Sequence, residues 1–110
     1  MIDWGRVREL RGEIGADAFE EVLDLFLEEV ETALAMLRTA TEADDLEAQL
    51  HFLKGSALNL GFAALAELCA DGEARSREGA RDNVDINGIV SGYDASKAAF
   101  LAGIANGVAA

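Results

Sequence analysis

DAFEEVLDLFLEEVETALAMLR, residues 17–38, reads as one long amphipathic helix. Its apolar positions Phe19, Val22, Leu23, Phe26, Val30, Ala33, Leu34 and Leu37 recur at spacings of three and four, the signature of a helix with one buried face. Glu20, Glu21, Asp24, Glu28, Glu29 and Glu31 fall mostly off that stripe. Such a helix needs neighbours of its own kind, and the chain on both sides supplies them. Before it, Asp3 caps a short helix over residues 3–13, with Trp4, Val7 and Leu10 at spacings of three. After it, Thr39 to Asp45 reads as a connection, with Asp44 or Asp45 capping a third helix over 45–60. Leu46, Leu50, Leu53, Ala57 and Leu60 form its core stripe, and Gly61 ends or kinks it. Phe62, Leu65, Ala66, Leu68 and Cys69 open a fourth helix over 62–78, in which Gly72 costs about 1 kcal/mol relative to alanine.

Gly79 to Asp85 is a polar loop. The last segment, 86–105, carries Ile86, Ile89, Val90, Tyr93, Lys97, Phe100, Leu101 and Ile104, with Gly88, Gly92 and Gly103 weakening it. Four substantial helices with short connections, preceded by a small one, predict an all-α fold. The natural packing is an up-down-up-down antiparallel four-helix bundle with a short extra N-terminal helix, in a single domain over 1–110.

Composition points the same way. The chain has 110 residues, no proline, only seven aromatic residues, and 51% hydrophobic residues. That is one domain with one modest core, and it is too apolar for disorder. Nine Lys and Arg against twenty-one Asp and Glu leave a formal net charge of −12. Such a chain repels nucleic-acid phosphates and anionic lipid, which removes both from the expected partners. Cys69, the single cysteine, excludes an internal disulfide and a multi-cysteine metal site. The start, Met-Ile-Asp-Trp-Gly-Arg, lacks an apolar stretch after a basic segment, so no signal peptide is expected. No run reaches the roughly 18 apolar residues of a membrane span, and the expected place is the cytoplasm. The Met1 start favours a free-standing protein, and the absence of a clear dimer stripe favours a monomer.

His51 is the only histidine. It is turned about 100° from Leu50, at the edge of the core stripe, so its imidazole should reach solvent. Lys54 and Gly55, three and four residues on, share its face, and Leu58 follows one turn later. A mid-helix glycine is unfavourable and needs a packing or functional reason. Gly55 would leave room beside the ring, Lys54 would supply positive charge to an anion carried there, and Ser56 adds a hydroxyl. An exposed imidazole, an ammonium and a bare patch suit a nucleophile that accepts an anionic group. Read alone, a lone histidine on a helix is more often an ordinary surface residue. A metal site has still less support, because no second histidine stands at i+4.

The run His51-Phe52-Leu53-Lys54-Gly55-Ser56-Ala57-Leu58-Asn59-Leu60-Gly61 resembles the signature of histidine phosphotransfer (HPt) domains, His-x-Leu-Lys-Gly-Ser-x-x-Asn-x-Gly. The resemblance extends over most of the chain. It implies that His51 is the phosphorylated residue, that Lys54 stabilises the phosphoryl group, that Gly55 clears space for it, and that Ser56 hydrogen-bonds locally. It further implies that Glu73, twenty-two residues on, orients the imidazole through its other nitrogen. Arg77, one turn later, could add charge near the phosphate. The bland alternative for Glu73 and Arg77 is an i,i+4 surface ion pair. Gly72 departs from the family's frequent leucine and would lighten packing between the third and fourth helices.

The function this implies is phosphoryl relay from one receiver-domain aspartate to another by way of His51. The expected partners are response-regulator receiver domains and a hybrid histidine kinase. The docking face would combine His51, Lys54 and Leu58 with exposed apolar residues of the second helix, unless Leu58 is instead a core residue. Mg²⁺ is expected on the partner receiver, with no cofactor or metal on this chain. No Gly-rich nucleotide loop or kinase motif set is present, so a stoichiometric carrier is expected rather than an enzyme with its own ATP site. The alternative is a helical adaptor that binds a signalling partner without phosphorylation.

Overall fold

A computed structural model describes residues 1–39, 43–78 and 84–108, with backbone alone at 43 and 44. Among these residues the chain is all-helical. The elements are α1 (Trp4–Ile14), α2 (Phe19–Thr39), α3 (Ala43–Leu60), α4 (Ala63–Arg77) and α5 (Ile86–Ala105). The only strand-like feature described is an isolated bridge between Ile2 and Phe62. The molecule is elongated, 43 × 20 × 17 Å. No described helix is long and apolar enough to cross a membrane.

The helix ends follow local chemistry. Asp3 caps α1, its carboxylate accepting from the Arg6 amide at 3.2 Å. Asp85 caps α5 in the same way, accepting from the Gly88 amide at 2.9 Å. The α3 helix starts at Ala43, so Asp44 and Asp45 lie within its first turn rather than ahead of it. Most of the two expected connections, at 40–42 and 79–83, lies outside the described residues. Gly61 ends α3 outright. Its φ is +81°, the Phe62 amide reaches back to the Ala57 carbonyl at 2.8 Å, and its own amide reaches Leu58 at 3.2 Å. This is the paired-bond C-cap that favours glycine in the left-handed region. A side chain there would also collide with the Asp3 carbonyl, 2.7 Å from the position of a Cβ. The turn is therefore only two residues long, and α3 and α4 pack against each other more extensively than any other pair.

Leu46, Leu50, Leu53, Ala57 and Leu60 are all buried, as their spacing predicts. The stripe on α2 is rotated from the expected one. Leu27 is buried, whereas Val22 and Phe26 are only half-buried and Leu25 and Met36 are exposed. Five apolar residues between 22 and 27 offer several overlapping stripes, and packing selects Phe19, Leu23, Leu27, Val30, Leu34 and Leu37. On α4, Leu68 is exposed rather than core and lies against Gly92 of α5. Leu101 is exposed as well. Gly72 does not leave the α3–α4 seam loose. It is buried, and a Cβ there would lie 3.2 Å from Leu50 and 3.4 Å from both Val84 and Ile89, which fill the space a larger residue would take.

An aromatic cluster closes one end. Phe62 meets Phe100 edge-on at 5.2 Å and Tyr93 at 6.3 Å, and Trp4 stacks on Phe100 at 5.9 Å. Trp4 lies directly over Gly103, where any side chain would overlap its indole. Across the other seam, Tyr93 Oη and Lys97 Nζ of α5 donate to Glu31 Oε2 of α2 at 2.5 and 2.7 Å. Lys97 first, then Tyr93, holds the Glu31 carboxyl below its ordinary value, while burial and Glu31 push the Tyr93 hydroxyl up.

Candidate functional site

His51 sits on α3 between the buried Leu50 and Leu53, and its own side chain is 71% exposed. Its Nδ1 lies 3.0 Å from Glu73 Oε1. Glu73 stands on the adjacent turn of α4 and is only 6% exposed. A buried carboxylate is costly unless it is paired and hydrogen-bonded, and this one is both. Lys54 Nζ lies 2.9 Å from Glu73 Oε2, and Arg77 Nη2 donates to Oε1 at 3.0 Å. Arg77 Nε also donates to Glu47 Oε1 at 3.0 Å, and Glu47 raises the Arg77 pKa. Lys54 is the main reason the Glu73 carboxyl is held below its ordinary range, His51 adds to the effect, and burial opposes it.

The consequence for the imidazole follows directly. An ionised carboxylate only accepts hydrogen bonds, so Nδ1 carries the proton that Glu73 holds. In the neutral ring Nε2 is then left with its lone pair, on a ring that is mostly in solvent. Such an arrangement suits a nucleophile.

Gly55 has no packing role of its own, since a Cβ there would meet no atom within 4 Å. It leaves open a shallow concavity of about 560 Å³ lined by Arg6, His51, Phe52, Gly55, Ser56, Leu58 and Asn59. Leu58 is 57% exposed, so it is not a core residue. The structure thus brings His51, Lys54, Glu73 and Arg77 into one network and places Gly55, Ser56 and Leu58 around the open side. The orienting contact and the ion pair, offered as alternatives for Glu73, coexist on one carboxylate. Cys69, also on α4, is buried, and burial pushes its thiol up to about 12. Among the described residues no group of three or more His, Cys, Asp or Glu is placed to hold a metal ion.

Two features escaped the sequence reading. Arg6 comes from α1 to the edge of the concavity, and no spacing rule links it to a residue 53 positions away. Phe52 is 46% exposed and joins the concavity to a larger groove of about 920 Å³ between α2 and α3. Val22, Leu25, Phe26 and Met36 give that groove its apolar wall. The exposure of Phe52 was legible, because it lies off the Leu46–Leu50–Leu53 stripe.

Comparison with known proteins agrees with this geometry. The family model described as Hpt domain matches residues 21–102. The phosphorelay protein LuxU of Vibrio vulnificus is 32% identical in strain YJ016 and in strain CMCP6, over 112 aligned residues that cover 97% of this chain and 97% of each relative. No solved structure gives a significant match. With the family match running through the helix of His51, the helix of Glu73 and the network between them, the chain belongs to the Hpt domain family.

Proposed function

We propose that this protein is a phosphorelay intermediate that carries a phosphoryl group on His51 between receiver domains. The observation that carries the reading is the 3.0 Å contact from Nδ1 of an exposed histidine to a buried carboxylate, in a chain of this family. A receiver bearing phosphate on an aspartate docks over the concavity. The Nε2 lone pair of His51 attacks phosphorus in line, the N–P bond forms as the P–O bond to the aspartyl carboxyl breaks, and the aspartate leaves as its carboxylate. The Nδ1 proton stays in place, held by Glu73, whose negative charge offsets the positive charge gained by the ring. Phosphoryl transfer depends mainly on positioning and on charge neutralisation. Lys54 moves from Glu73 toward the phosphoryl oxygens, and Arg77 adds positive charge behind them. Transfer to a second receiver is the reverse of these steps.

In this reading the four longer helices form an antiparallel up-down-up-down bundle in a single domain, with α1 as the added N-terminal helix. Leu58, Phe52 and the apolar wall of the α2–α3 groove form the docking face. Mg²⁺ belongs to the receiver, and the chain is a stoichiometric carrier with no ATP site. It works as a monomer in the cytoplasm, between a hybrid histidine kinase and its response regulators.

The test is transfer from phosphorylated receiver domains to wild type and to His51→Gln. Acid-labile, base-stable label on wild type and none on the variant, with equal helical circular dichroism, is the expected result. No label on folded wild type from any receiver would leave the adaptor reading instead.

A further inference from the structure

We propose that Arg6 is a specificity-determining docking residue whose guanidinium takes a carboxylate on the rim of the incoming receiver domain. The proposal rests on the phosphorelay reading above and names a contact that reading does not require. Arg6 lies on α1, ahead of the residues matched by the family model, 21–102. It nonetheless lines the same concavity as His51.

Its position is fixed by α3. Nε donates to the Asn59 carbonyl at 3.1 Å and Nη2 to Asn59 Oδ1 at 2.7 Å. The Asp3 amide donates to the Gly61 carbonyl at 2.7 Å and ties the start of α1 to the same helix end. Cations at a helix C-terminus are favourable, so this anchoring is stable in its own right. Nη1 points elsewhere. Among the described residues its partners are two exposed carboxylates of its own helix, Glu9 Oε2 at 3.4 Å and Glu13 Oε1 at 3.3 Å. Both contacts are long, and exposed pairs of this kind contribute little. Arg6 is therefore a rigid cation holding weak, replaceable carboxylates, and those carboxylates show the chemistry of the group it accepts.

The charge balance adds to this. In a chain of net charge −12, Arg6 is, among the described residues, the one permanently charged side chain that lines the concavity. Asn59 stands eight residues beyond His51, about 12 Å along the helix axis. Arg6 is anchored about two turns beyond His51, toward the edge of the surface a docked domain would cover. The matching group is thus a carboxylate of the receiver surface rather than the phosphoryl group itself.

The test measures transfer at increasing receiver concentration, using whichever phosphorylated receiver labels wild type. The variants are Arg6→Gln, Arg6→Lys and the double variant Glu9→Gln/Glu13→Gln. Arg6→Gln should raise the half-saturating receiver concentration roughly three- to five-fold at low salt, and less at high salt. The loss should fall on that concentration rather than on the maximal rate. Arg6→Lys should lie between the two. Removing the competing carboxylates should lower the half-saturating concentration, and this arm stands even if Arg6→Gln loosens α1. An unchanged half-saturating concentration in both Arg6 variants would overturn the proposal. A loss confined to the maximal rate would overturn it too, because it would put Arg6 on the phosphoryl group. Failure of wild type to be labelled by any receiver, or by phosphoramidate, would instead remove the relay reading on which it rests.

Discussion

Glu73 is the residue on which the site is built. It is buried and ionised, and it gives one oxygen to His51 Nδ1 and Arg77 and the other to Lys54. Its native pKa is depressed from 4.5, so the native state releases this proton more readily than the unfolded chain does. Stability from the network is then fully present above the unfolded value and is lost as pH falls through the lower, native value. Wild type should lose stability on acidification below about pH 4.5. Glu73→Gln, which has no carboxyl to titrate, should show a shallower decline over the same range. Urea midpoints measured between pH 3 and 6 check this, and parallel declines for the two proteins would contradict it. The pairing of His51 with Glu73 was available from the family signature and not from helix periodicity, which carries no information about which turn of one helix faces which turn of the next.

Among the elements, α3 carries one residue, Gly55, that neither helix propensity nor packing explains. Gly55 lies inside the helix, and a Cβ there meets nothing within 4 Å. Gly55→Ala should therefore stabilise the protein by about 1 kcal/mol, through helix propensity alone. Gly55→Leu keeps most of that gain but fills the open patch beside His51, and its phosphoryl transfer should fall well below that of Gly55→Ala. Thermal melts beside transfer rates check both halves, and equal transfer in the two variants would show that the patch is not used. The α3 face was readable from the sequence because residues 51, 54, 55 and 58 are related by local spacing. On α2 the same rule placed Val22 and Phe26 with the core, because apolar residues at 22, 23, 25, 26 and 27 satisfy more than one stripe. Their half-buried state gives the α2–α3 groove its apolar wall.

At the scale of the whole molecule, an acidic chain of net charge −12 sets His51 and Lys54 midway along α3, with Arg77 on the side of Glu47 and Arg6 on the side of Asn59. The helical class and the five helices, α1 with its Asp3 cap included, were legible because each depends on local patterning. The part played by α1 was not, because the Arg6–Asn59 and Trp4–Phe100 contacts join residues 53 and 96 positions apart. Glycines 72, 92 and 103 look in the sequence like weak points in helices. In the structure they are where Leu50, Leu68 and Trp4 fit against the neighbouring helix. In the proposed relay the central feature is a histidine whose Nδ1 is held by Glu73 and whose Nε2 takes the phosphoryl group. The most direct measurement is nitrogen-15 and phosphorus-31 NMR of the phosphorylated protein with labelled histidine. The account predicts phosphorus bonded to Nε2 of His51, with Nδ1 still protonated. Phosphorus on Nδ1, or on any residue other than His51, would contradict it.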